Sequence, residues 1–168
     1  MWKTLVFAHD FSVCAERVES LVVDLARTHG ARVVLVHVSE LPQGLSAETR
    51  ITPPGHREPV ALGDHTRRAA EARLEGVASR MRRLSVDVAI RAIIDDIPSG
   101  LLRSADEESA DAIVMGTHGR EGLKHFFLGS VAEKVLRRAK VPVITLRTST
   151  EEDARIQEER DLEDELTG

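Results

Sequence analysis

The residues best suited to chemistry lie in Met115-Gly116-Thr117-His118-Gly119 and, after nine intervening residues, Gly129-Ser130. Two glycines three positions apart at the end of an apolar run let the backbone come close to a phosphate group. Ser130, with Glu133 three residues on, reads as a capping box opening a helix. The N–H groups and positive dipole end of that helix favour an anion. Taken singly, GxxG is a turn and Ser130 a cap. Their separation in a strand-loop-helix context favours phosphate binding over that plainer account. A second polar group, Ala8-His9-Asp10, closes the first apolar run of the chain.

Other chemistry is poorly supported. His9, His37, His118 and His125 have no HxxxH, HExxH or CxxC spacing, so ordinary pocket and core histidines are expected and no protein-ligated metal is. Ser12 and Cys14 near Asp10 read as a helix cap and a small buried hydrophobe rather than nucleophiles. There is no GxSxG turn and no Walker lysine, so any ATP hydrolysis lacks an obvious base and is expected to be slow.

Positioning these groups requires alternating strands and helices. TLVFA (4–8) and RVVLVHV (32–38) are β-branched apolar runs too short for helices and read as buried parallel strands. Between them Ala15, Val18, Val22 and Leu25 form one stripe, with Ser12 at the N-cap position and Gly30 just past the end. Residues 39–63 hold four prolines and three glycines without periodicity and read as a long, mobile surface excursion. From Asp64 to Leu84, Ala70, Leu74, Val77, Met81 and Leu84 recur at helical spacing with arginines and glutamates on the other faces. A third strand is expected over 86–94, a short helix from Pro98 to about Glu108 and a fourth strand over 111–115. A last helix over Ser130 to Arg138 and a fifth strand over 141–147 complete the chain.

The pattern predicts an α/β fold: one doubly wound, five-stranded parallel sheet with helices on both faces, Rossmann-like, in strand order 3-2-1-4-5. Ligands of such sheets lie at the carboxyl ends of the strands where the order reverses, here between the first and fourth strands. Asp10 and the Gly116–Gly119 loop would then adjoin.

At 168 residues and 42% apolar content the chain fits one domain over 1–147 followed by an acidic tail over 148–168. The net charge of −5 is dominated by that tail, where nine acidic and two basic residues give −7 and leave about +2 for the body. The body therefore does not repel an anionic ligand. Aromatic content of 3% and scattered arginines argue against a nucleic-acid module. A single cysteine and the lack of a long apolar run point to a reducing cytoplasm, with no membrane partner. Val141, Val143 and Ile144 on the fifth strand make an apolar edge that needs a cover.

The segment GTHGREGLKHFFLGSVAEKVLRRAKVPVITLR resembles the C-terminal signature of the universal stress protein family in its nucleotide-binding branch: GxxG, nine residues, then Gly-Ser or Gly-Thr. LVFAHDFS is similar to the first strand and aspartate of that family, and the likeness runs in order over about residues 3–147, including LVHV. The resemblance implies an ATP- or other adenine-nucleotide-binding (ATP, ADP or AMP) stress-response regulator. Ala8, His9 and Asp10 would face the adenine and ribose, and Val38 would flank the base. Met115, Gly116, His118 and Gly119 would wrap the ribose and phosphates. Gly129, Ser130, Val131 and Ala132 would offer N–H and hydroxyl groups to the β- and γ-phosphates, with Mg²⁺ or Mn²⁺ bridging phosphate oxygens. It also implies a homodimer through the fifth strand. The chain departs from the family pattern in three places: Ala132 replaces a frequent hydroxyl, Asp95-Asp96 precede Pro98, and His9 replaces a smaller residue. Two other functions fit the same residues: a slow ATPase or nucleotidyl-transfer enzyme using Asp10 or His118, and a nucleotide-free interaction protein.

Overall fold

The computed structural model describes residues 1–55, 57–117 and 129–146, together with 156 and 162. In chain order the elements are β1 (Thr4–Ala8), α1 (Val13–His29), β2 (Arg32–Ser39), β3 (Arg50–Ile51), β4 (Val60–Ala61), α2 (Leu62–Arg83) and β5 (Val88–Ile94). These are followed by α3 (Ile97–Glu107), β6 (Ala112–Gly116), α4 (Ser130–Arg138) and β7 (Val143–Leu146). The main sheet has five strands in the order β5-β2-β1-β6-β7, and its pairings are parallel. Counting only its members, that is the expected 3-2-1-4-5.

The strands read as continuous apolar runs because both faces are covered. Successive residues divide between two cores. Leu5, Phe7, Val33, Leu35, Ala112 and Val114 join α1 and α2 on one face. Val6, Val34, Val36, Ile113 and Met115 join α3 and α4 on the other. α1 starts where the Ser12 side chain accepts from Ala15 N–H, and ends at Gly30, whose φ of 64° allows its N–H to reach Ala26 C=O.

The excursion over 39–63 is more ordered than its composition suggested. β3 and β4 pair as a short antiparallel hairpin. Arg50 Nη2 donates to Pro59 C=O at 2.7 Å across it. The same stretch caps α2, which has no side-chain cap: Leu62 N–H donates to Thr49 C=O and Gly63 N–H to Ala47 C=O. A Cβ at Gly63 would lie 2.7 Å from Ala47 Cβ, so only glycine permits that approach. This is why α2 begins two residues earlier than its apolar stripe indicated.

β7 starts at Val143 rather than residue 141, because Pro142 has no N–H to give and contributes only its carbonyl, which accepts from Ile113 N–H. The third sheet strand begins at Val88 rather than residue 86, after a turn in which Ser85 takes a φ of 64°.

Along the seam of β5 and α3, charges alternate in one ladder. Arg32 pairs with Glu108, Glu108 with Arg91, Arg91 with Glu107, Glu107 with Arg103, and Arg103 with Asp95. Beside it the Ser104 hydroxyl is fully buried without a hydrogen-bond partner. Removing that oxygen relieves a desolvation cost. Ser104→Ala is therefore expected to raise stability by up to about 1 kcal/mol, read as a higher denaturation midpoint with an unchanged slope.

Candidate functional site

β1 and β6 are neighbours in the sheet, and the chain leaves β1 toward β2 on one side and β6 toward β7 on the other. Their carboxyl ends form the switch point at which a parallel sheet opens a crevice. Here Gly129 N–H donates to Thr117 C=O at 2.9 Å, which brings the start of α4 against the end of β6. Gly129 is the N-cap of α4 and makes no side-chain cap bond. The expected capping box is therefore absent. Because Gly129 is pinned by its backbone to Thr117, Ser130 becomes the first helical residue, and Glu133 pairs with Arg137 at 2.7 Å instead.

The first intrahelical bond of α4 runs from Glu133 N–H to Gly129 C=O. The N–H groups of Ser130, Val131 and Ala132 consequently have no acceptor within their helix. Both described glycines of the loop are sterically required. A Cβ on Gly129 would lie 2.5 Å from Thr117 O, and one on Gly116 would lie 2.6 Å from Cys14 Sγ.

Beside this cradle Asp10 ends the β1 segment. Its Oδ1 accepts from Ser12 N–H at 3.0 Å and from the Ser12 hydroxyl, which itself caps α1. Ala8, Val38, Met115, Val131 and Ala132 belong to one apolar cluster on the α3–α4 face. Val38 is held there by Gly100, where an added Cβ would come within 2.9 Å of Val38 Cγ1. Of the sequence-derived site residues, Ala8, Val38, Met115, Val131 and Ala132 share that apolar cluster, Gly116 and Gly129 flank the contact at Thr117, Ser130 opens α4 and Asp10 follows β1. His118 and Gly119 lie outside the described residues.

His9 is placed differently. Its ring is buried on the α1–α2 face, between Phe7 at 5.3 Å and Phe11 at 5.2 Å. Phe11 N–H bonds to Nδ1 at 3.0 Å and Glu19 Oε1 lies 3.2 Å from Nε2. Glu19 in turn meets Arg80 of α2 at 2.7 Å. Burial pushes the Glu19 carboxyl up, but the bonds from His9 and Arg80 outweigh it and hold it below the usual carboxylate range. His37 Nδ1 donates to the His9 carbonyl at 2.7 Å, and the Arg73 guanidinium sits 4.1 Å above the Phe11 ring. Sequence reasoning missed this cluster. Its one linear signal is that Phe7 and His9, two apart on a strand, share a face.

Burial lowers the His37 pKa from its ordinary 6.5, and the His9 carbonyl and Asp10 only partly restore it. The unfolded chain then binds a proton that the folded chain refuses, so stability is full above pH 6.5 and falls as pH drops below it. Thermal melts are expected to show that loss as pH is lowered through 6.5. His37→Asn, which keeps a donor toward His9 and does not titrate, is expected to flatten it.

The two carboxylates before α3 are used locally. The Asp96 side chain accepts from Ser99 N–H at 3.0 Å as the N-cap, and Asp95 Oδ2 pairs with Arg103 at 2.6 Å. Capping thus accounts for Asp96. Among the described residues no group of three or more His, Cys, Asp or Glu side chains is placed to hold a metal ion. Among them, too, no helix is long and apolar enough to cross a membrane.

A parallel sheet with its order reversed at β1 and β6, two apolar layers of helix, and glycine-mediated contact between β6 and α4 defines a Rossmann-like α/β protein. The sequence profile of the universal stress protein family matches residues 1–147, and the chain belongs to that family. A universal stress protein of Thermus aquaticus is 33% identical over 148 residues, covering 88% of this chain and all of the relative. The solved structure of the Methanocaldococcus jannaschii universal stress protein MJ0577 superposes with a TM-score of 0.75 at 25% identity, covering 89% of this chain and 99% of that one. The Archaeoglobus fulgidus universal stress protein in complex with dAMP superposes with a TM-score of 0.58 at 26% identity, covering 86% and 97%.

Proposed function

We propose that this chain binds an adenine nucleotide at the β1–β6 switch point and acts as a regulatory module whose conformation or dimer responds to occupancy. The observation that carries the reading is the set of three N–H groups, on Ser130, Val131 and Ala132, without helical acceptors beside Gly116 and Gly129. Such a helix start binds phosphate oxygens through oriented donors and a positive dipole. The dAMP complex of the Archaeoglobus fulgidus relative supports adenylate as the ligand. In this reading Ala8, Val38 and Met115 supply apolar surface for the base, and Asp10 faces the sugar. Gly116, His118 and Gly119 follow the phosphates, and the Ser130 hydroxyl adds one contact. Mg²⁺ or Mn²⁺ would be held by the phosphate oxygens of the bound nucleotide rather than by a protein carboxylate cluster. When present, it would neutralise phosphate charge.

Heating the pure protein with ATP·Mg²⁺ at about one hundred times Kd is expected to add about 2.7 kcal/mol of stability, which raises Tm by about 5–10 °C. No shift with ATP, ADP or AMP would refute the reading. The β7 edge, half-buried throughout, is proposed as the dimer contact. A monomeric mass in light scattering at micromolar concentration counts against that assignment.

A further inference from the structure

We infer that His9 is a positioning residue that sets the β1–α1 turn, and with it Asp10, from within the α1–α2 core. The inference deepens the nucleotide-binding reading and rests on it for its ligand.

The turn is unusual in its chemistry. Phe11 takes a φ of 63°, a left-handed conformation that costs a bulky residue of the order of 1–2 kcal/mol and needs external support. Phe11 stands between Asp10, which ends the crevice side of β1, and Ser12, which caps α1. Were Phe11 to relax, Ser12 N–H would move away from Asp10 Oδ1, and the carboxylate would lose the bond that aims it.

The support comes from His9. Its Nδ1 accepts from Phe11 N–H at 3.0 Å. An imidazole nitrogen that accepts is unprotonated, so the proton of the neutral ring is on Nε2. The carboxylate of Glu19, 3.2 Å from Nε2 and itself bound to Arg80, is the acceptor that favours this tautomer. From the outer side, Arg73 covers the Phe11 ring. His9 therefore joins α2, through Glu19 and Arg80, to the turn that carries Asp10. A smaller apolar residue at position 9 would leave Phe11 N–H without this acceptor, while Arg73 and the His37 ring would still pack on Phe11.

Two variants separate the bond from the packing. Asparagine places an oxygen where Nδ1 stands and can accept from the N–H two residues on, whereas glutamine reaches Glu19 but not Phe11 N–H. All of His9→Asn, His9→Gln and His9→Leu are expected to lower Tm, since each empties the space between two phenyl rings. Adenylate affinity by calorimetry should discriminate: within about threefold of wild type for His9→Asn, and weaker by about tenfold or more for His9→Gln and His9→Leu, the loss of one supported hydrogen bond. Amide exchange at Phe11 reads the same bond without ligand. Protection is expected in wild type and His9→Asn and is expected to be lost in the other two. Equal affinity in all four proteins, or Phe11 protection that survives in His9→Leu, overturns the positioning role. A wild-type protein that binds no adenylate yet shows this protection pattern overturns the nucleotide reading and leaves the role of His9 in the turn standing.

Discussion

Gly129→Ala is expected to weaken adenine-nucleotide binding by about tenfold to one hundredfold while leaving most of the fold intact. The added Cβ would lie 2.5 Å from Thr117 O, a backbone atom that cannot swing aside. The first turn of α4 must therefore retreat from β6, and the Gly129 N–H to Thr117 C=O bond lengthens with it. A hydrogen bond to a charged group contributes about 1.5–3 kcal/mol, and 1.4 kcal/mol is a factor of ten in affinity. Misplacing one donor among those of Ser130, Val131 and Ala132 accounts for the lower figure.

Calorimetry with ATP·Mg²⁺ tests the prediction, with a thermal melt of the unliganded variant beside it. An alanine variant that binds as wild type would show that the start of α4 does not hold the phosphates. Gly116 offers a contrast. Its added Cβ would meet Cys14 Sγ at 2.6 Å, a side-chain atom that can be removed. Gly116→Ala should destabilise the protein, and Gly116→Ala with Cys14→Ala should recover part of that loss, a coupling expected only of groups in contact.

The main sheet was legible in the sequence because its strands are buried on both faces. TLVFA and RVVLVHV had no polar alternation to confuse with a surface strand, and TLVFA led directly into a stripe at helical spacing. The parallel, doubly covered sheet followed from the alternation of strands and helices rather than from any one residue. The hairpin of β3 and β4 left no trace in the sequence, since strands of two residues carry no period. It is held by an arginine and by carbonyls that cap α2.

The candidate site was legible in part for a different reason. Glycine is informative where nothing larger fits, and Gly116 and Gly129 are both such positions. The misplaced cap shows the limit of that logic. Ser-x-x-Glu marks a helix start to within a residue, and the backbone bond from Gly129 to Thr117 decided the offset. His9 shares the face of Phe7 by strand alternation, but its bond to Phe11 N–H depended on the left-handed Phe11, which no spacing rule announces.

Phe7→Ala is expected to carry the largest stability cost of any single truncation considered. Phe7 is fully buried, paired in register with Leu35 on β2 and Val114 on β6, and belongs to the core beneath α1 and α2. Truncating a buried phenylalanine costs about 3–5 kcal/mol through lost transfer energy and the cavity left behind. For a domain of this size that lowers Tm by about 6–20 °C. The consequence does not stop at the core, because the Phe7 ring meets His9 edge-on at 5.3 Å and 76°. With that ring gone, His9 can tilt away from Phe11 N–H. Adenylate affinity is then expected to fall as well, measured at a temperature where the variant remains folded. Phe7→Leu fills most of the cavity and should recover most of the stability, but it offers no aromatic edge to His9. If Phe7→Leu regains stability and full affinity together, the ring contact is packing alone. If it regains stability without affinity, the core of the α1–α2 face and the proposed nucleotide site are mechanically joined through residue 9.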